Sequence, residues 1–131
     1  MKTNLTAYHF SIIRYCPSYV LNETIVLGLF YILPNENKCV LIFPKKLGRI
    51  KALFKDANIN EIRGRLMVFQ KRAEDIKFDA KSYDAFDIIK KKYGLREASN
   101  IYFEPAKAAF YSKFDGLIEN DYQKYFENYL N

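Results

Sequence analysis

The chain has no tryptophan, one histidine, two cysteines and five glycines among its 131 residues. Each shortage removes a class of function. With His9 as the single histidine, and no cysteine or carboxylate at a ligand spacing from it, there is no metal set. Gly28, Gly48, Gly64, Gly94 and Gly116 never gather into a loop that would cradle phosphate. No metal or cofactor is expected. Cys16 and Cys39 lack metal spacing and read as packed, reduced thiols of a reducing compartment. A Cys16–His9 nucleophile is allowed by residue count, but nothing else in the sequence asks for one. Long hydrophobic runs are missing too. The longest, Ile25 to Leu33, falls far short of the roughly 20 residues that span a bilayer. Met1 to Thr6 carries no signal-peptide hydrophobic region. The expectation is a soluble cytoplasmic protein with no membrane contact.

What is present suits one globular domain over residues 1–131. Half the residues are hydrophobic and 17% are aromatic, enough to bury a core and to argue against disorder. The stretch Asn22 to Leu33 is the most apolar. It is rich in β-branched and aromatic residues and lacks alternation, so it reads as a strand buried on both faces. Before it, Tyr8 to Tyr15 reads as a strand with Tyr8, Phe10, Ile12 and Arg14 on one face and His9, Ser11, Ile13 and Tyr15 on the other. Pro17 is expected to end that strand. Pro34-Asn35-Glu36-Asn37 is a turn signal, and Lys38 to Phe43 then forms an antiparallel hairpin with the apolar strand.

The period changes after Pro44. Leu47, Ile50, Leu53 and Phe54 recur at helical spacing. Asn58 with Glu61 makes a capping-box arrangement, with Asn in place of Ser or Thr. The helix that follows carries Ile59, Ile62, Leu66, Phe69, Ala73 and Ile76 on one stripe, and Gly64 on its polar face. Ser82 or Asp84 caps a further helix through Phe86, Ile89 and Tyr93, with Gly94 as a left-handed C-cap and Lys90, Lys91 and Lys92 in the last turn. Asn100 to Glu104 looks like a short strand. Pro105 to Phe114 reads as a short helix or turn, and Tyr122, Tyr125, Phe126, Tyr129 and Leu130 form a final amphipathic helix. The carboxylate pairs Asp84/Asp87 and Glu119/Asp121 sit near helix starts, where they stabilise the N-terminus.

Charge is unevenly spread. Between positions 45 and 72 stand Lys45, Lys46, Arg49, Lys51, Lys55, Arg63, Arg65, Lys71 and Arg72, against Asp56 and Glu61. That is +7 in a chain whose net charge is +6, so the remainder is near neutral. Either an acidic partner or a plain solvated face accounts for it. Arg14 lies in a strand among Ile12 and Ile13, and Glu23 opens the apolar strand. A charge at the edge of a buried sheet needs a partner, and Arg14 with Glu23 is the expected pair.

The order Ser11-Ile12-Ile13-Arg14-Tyr15-Cys16-Pro17, then Glu23, then Gly28, resembles the bacterial domain-of-unknown-function family 3037. Members begin with a strand ending in Arg-Tyr/Val-x-Pro, followed by Glu-x-x-Asn-Val-Gly-Val and an apolar strand. Arg14, Pro17, Glu23 and Gly28 match this pattern, and Val26 stands where the family has asparagine. Leu47-Gly48-Arg49-Ile50 to Phe54 is similar to the family's segment after the hairpin. The likeness covers about the first half of the chain. The genes of this family often stand beside genes for HipA-like kinases. The resemblance therefore implies a two-component module of toxin-antitoxin or phage-defence type.

The fold expected is α+β, a small antiparallel sheet of three to five strands covered by amphipathic helices. The function expected is a small non-enzymatic interaction protein whose partner, by resemblance, is a HipA-like kinase. Lys45, Lys46, Arg49, Lys51, Arg63, Arg65 and Arg72 would supply steering charge, and exposed tyrosines contact area. One alternative is a nucleic-acid-binding module, with the same basic residues on phosphates and with Phe54 and Phe69 stacking on bases if exposed. The other is an enzyme, a nuclease or transferase, with Arg14, Glu23 and His9 converging in an open pocket.

Overall fold

The structure is a computed structural model, and it describes residues 5–18, 23–94 and 100–126. Strand β1 runs Thr6–Ser18, β2 Glu23–Leu33 and β3 Lys38–Ile42. Helices α1 (Gly48–Leu53), α2 (Ile59–Glu74) and α3 (Ala85–Tyr93) follow. Strands β4 (Ile101–Phe103) and β5 (Lys107–Tyr111) and helix α4 (Leu117–Phe126) complete the chain. All strand pairs are antiparallel. The order is β3-β2-β1, with β4 and β5 both paired to the far side of β1. The fold is α+β.

The apolar strand behaves as its composition dictates. From Leu27 to Leu33 every residue of β2 is buried. Pro34–Glu36 forms a single 3-10 turn and Asn37 takes a left-handed conformation, which returns the chain into β3.

β1 differs from expectation at its end. It passes through Pro17 to Ser18. The Cys16 amide donates to the Asn100 carbonyl, so Pro17 projects its missing N–H toward β2, where the β1–β2 register already slips between Tyr15 and Ser18. A proline there removes no ladder bond.

The segment 105–114 is the second difference. It is alanine-rich and was expected as a helix or turn, but it forms β5. β4 occupies only Ile13–Tyr15 of a thirteen-residue strand. Thr6–Phe10 is left open, and β5 pairs along it. Tertiary pairing outweighs local propensity here.

Register places the two faces of the sheet. Tyr8 packs on Tyr31 and Tyr111, with ring centroids 6.1 and 5.7 Å apart. Tyr31 Oη donates to Asp121 of α4 at 2.7 Å, so α4 covers this face. Burial first, then that bond, pushes the Tyr31 phenol pKa far up. The opposite face carries His9, Ser11, Ile13 and Tyr15, with Phe30 and Phe103. Phe30 meets Tyr93 of α3, Phe69 of α2 meets Tyr93 and Phe103, and Tyr15 meets Phe54 at the end of α1.

α2 begins at the expected cap. Asn58 Oδ1 accepts from the Glu61 amide at 3.1 Å. Asn58→Ala is expected to cost about 1 kcal/mol, read as a lower urea midpoint at unchanged slope. α2 buries Ile62, Leu66 and Ala73 and lies along the sheet's edge, where Gln70 Nε2 donates to the Leu41 carbonyl at 2.9 Å. An edge strand is thereby closed to further pairing at that carbonyl. α3 is capped by Asp84, whose side chain accepts from the Asp87 amide, and Lys91 pairs with Asp87 at 2.9 Å. Gly94 ends it at φ 87°, ψ −174°. Its φ is positive as expected, but ψ near 180° puts it outside the left-handed helical region, in one that is essentially glycine-only. The expected final residues Tyr129 and Leu130 lie outside the described residues.

Candidate interaction surface

The basic segment folds into the loop after β3, α1 and the outer side of α2. Lys45, Lys46, Arg49 and Lys51 are exposed, Arg63 and Arg65 half-buried, and Arg72 exposed. Several also fasten the fold. Lys51 Nζ donates to the Ala57 carbonyl at 3.0 Å, and Arg63 to the Lys45 carbonyl at 3.5 Å. Arg72 donates to the Lys92 carbonyl at 2.6 Å and lies 5.7 Å from the Phe69 and Tyr93 ring centroids. Arg65 lies 5.9 Å from Phe69. The bonds of Lys51, Arg63 and Arg72 orient those cations on carbonyls and ring faces, which carry no opposing net charge.

The apolar component of this surface is not tyrosine. Every described tyrosine is buried or half-buried. The exposed large apolar side chains here are Leu53, Met67 and Val68, at 54%, 56% and 55% exposure. Sequence reasoning placed Leu53 on the apolar stripe of α1, which buries Ile50 and leaves Leu53 exposed, and it missed Met67 and Val68 because it followed the buried stripe of α2. Their signal was present: Met67 and Val68 fall on the polar arc of α2 beside Gly64. Phe54 and Phe69 are half-buried against Tyr15 and against Tyr93 and Phe103.

Arg14 does not pair with Glu23. Its Nε donates to Glu104 Oε2, and its Nη1 to Thr24 Oγ1 at 3.4 Å. Both members of the Arg14–Glu104 ion pair are less than a third exposed. The reason is a β-bulge. Between Ile13↔Gly28 and Arg14↔Val26, β1 advances one residue and β2 two, so Leu27 has no partner. Arg14 is thus set opposite Val26, while Glu23 sits exposed beside Ser18 at the strand's start. Glu104 reaches Arg14 because its amide donates to the Ile12 carbonyl next door.

His9 and Arg14 project from opposite faces of β1, five residues apart, and do not converge. His9 Nδ1 shares a hydrogen bond with Tyr83 Oη at 2.7 Å. The pair lies in an open cleft of about 450 Å³ that Asp84, Phe86, Pro105 and Ala106 also line. Burial first, then nearby Cys39, raises the Tyr83 pKa.

Cys16 and Cys39 are both buried and neither is in a disulfide. Burial pushes the Cys39 thiol up to about 12. A raised thiol pKa means the unfolded chain releases its proton first. The contribution of this thiol to stability is then constant below its ordinary pKa of 9.0 and falls as pH rises from there toward about 12, by about 1.4 kcal/mol per unit. Cys39→Ser is expected to flatten part of that alkaline loss in urea titrations run at pH values on either side of it.

Among the described residues, no group of three or more His, Cys, Asp or Glu is placed to hold a metal ion. No helix among them is long and apolar enough to cross a membrane. Compared with known proteins, the chain matches no family model, no curated protein and no solved structure.

Proposed function

We propose that this chain is a small, non-enzymatic interaction protein that acts on a partner protein in the cytoplasm. The observation that carries the reading is the coincidence of exposed apolar side chains with the basic segment. Leu53, Met67 and Val68 stand in water within the 45–72 stretch that holds a +7 excess. Apolar anchors flanked by one sign of charge are what a protein partner of the other sign recognises. The Arg14, Pro17, Glu23 and Gly28 pattern supports a HipA-like kinase as that partner, within a toxin-antitoxin or phage-defence module.

A nucleic-acid module is the weaker reading. Phe54 and Phe69, the rings that would stack on bases, pack inward. The test is affinity purification of the tagged protein from its native host at low and high salt. A stoichiometric kinase retained at high salt is the expected result. Nucleic acid lost as salt rises would overturn the reading in favour of phosphate binding, and an empty eluate would overturn it outright.

A further inference from the structure

We propose that the outer face of α2 seats an acidic amphipathic helix of the partner, with Gly64 as the notch into which that helix settles. The proposal rests on the reading of the chain as an interaction protein and names the element and the chemistry of contact.

Gly64, Met67, Val68 and Lys71 follow one another at helical spacing on the side of α2 away from Ile62, Leu66 and Ala73. Met67 and Val68 are more than half exposed. Large apolar side chains paired on the outer arc of a helix gain nothing from this fold. Gly64 is equally unexplained by the fold. A Cβ built on it meets nothing within 4 Å, and its φ is not positive. An alanine there would fit and would favour the helix by about 1 kcal/mol. The missing side chain leaves a gap between neighbouring ridges, the feature that lets a second helix approach closely.

Charge sets the sign of the occupant. Over Ile59–Glu74 α2 carries Arg63, Arg65, Lys71 and Arg72 against Glu61 and Glu74, a net charge of +2, with Lys71 in line with Gly64, Met67 and Val68. A partner helix with carboxylates flanking its apolar stripe complements both features. A strand does not fit, because the backbone groups of α2 are satisfied within the helix and present no ladder. A phosphate backbone does not fit the apolar centre formed by Met67 and Val68.

The probe is a fluorescein-labelled peptide of about 18 residues, with leucines at i, i+3, i+4, i+7 and glutamates on the remaining face, long enough to hold a helix on binding. Anisotropy titration with the full chain is expected to give a micromolar Kd at low salt, weakening as salt rises. Gly64→Gln fills the notch while raising helix propensity, so loss of binding in this variant is not unfolding. It and Met67→Asp are each expected to weaken binding at least about tenfold, whereas Phe86→Asp on α3 leaves it unchanged. Equal binding by wild type and Gly64→Gln, or no binding by wild type, overturns the proposal. So does a DNA duplex that displaces the peptide and binds Gly64→Gln as well as wild type. The native-host purification separates the two levels. A partner retained by both wild type and Gly64→Gln overturns this face and leaves the interaction reading standing. An empty wild-type eluate overturns that reading, and the peptide titration then decides the face by itself.

Discussion

Gly28→Ala is expected to lower stability by about 2–3 kcal/mol, at the upper end of overpacking changes, and Gly28→Val to abolish cooperative folding. A Cβ built on Gly28 falls 2.6 Å from the Ile42 carbonyl oxygen, with Ile13 Cδ1 at 3.4 Å and Phe43 Cβ at 3.5 Å. The close atom is backbone, held in the β2–β3 ladder where Leu29 pairs with Ile42. It moves only if the hairpin opens. No rotamer change relieves the contact, because a Cβ has no rotamer. Valine adds two methyl groups toward Ile13 and Phe43 in a fully buried strand. Urea denaturation of both variants against wild type measures the effect, with the slope m unchanged for alanine. A loss below about 0.5 kcal/mol for alanine would mean the sheet is looser at the bulge than its geometry implies.

Much of this arrangement was legible in the chain. Unbroken apolarity from Ile25 to Leu33 fits a buried helix or a strand, and its turn-forming flanks with β-branched and aromatic content decide for a strand covered on both faces; α4 on one side with α2 and α3 on the other provide the cover. Asn58 with Glu61, and Asp84 with Asp87, are cap signals whose mechanism is local, so they survive folding unchanged. The misses that move the candidate residues are non-local. Nothing near Leu27 announces that it lacks a partner on β1, yet that bulge sets Arg14 opposite Val26 and out of phase with Glu23, while β4 brings Glu104, ninety residues on, to its other side. Likewise Ala106 to Tyr111 has helix-forming alanines, and only the open length of β1 turns it into a strand. Pro17 misled because a proline ends a strand only where its N–H was needed. The candidate surface was half legible. Its charge was plain from composition, but Met67 and Val68 are ordinary core residue types, and only the direction of the buried stripe shows that they face out.

Phe30→Ala is expected to cost about 3–5 kcal/mol, the range for removing a large buried ring. Phe30 has no solvent exposure. Its ring meets Tyr93 edge-on at 5.4 Å and Phe103 at 5.9 Å, while Tyr93 stacks on Phe103 at 4.4 Å and meets Phe69 at 5.1 Å. The four rings join β2, β4, α2 and α3, and Tyr93 Oη fastens the junction by donating to the Phe69 carbonyl at 2.8 Å. Removing the Phe30 ring leaves a void under Tyr93 and Phe103, which are themselves held by each other and by Phe69 and cannot readily close on it. For a domain with a typical stability of about 5–15 kcal/mol this is a large fraction of the whole. Phe86→Ala is the matched control. It deletes the same atoms from a side chain that is 60% exposed, and its effect should stay within about 0.5 kcal/mol. Urea midpoints for the two variants check the contrast. Hydrogen exchange on Phe30→Ala locates it, with α2 and α3 expected to lose protection before the β1–β2 ladder, since the ladder keeps its backbone bonds. Phe69 lies on the inner side of the same helix whose outer side carries Gly64, Met67 and Val68. Loosening the inner cluster should therefore weaken peptide binding on the outer face even under conditions where the variant remains folded.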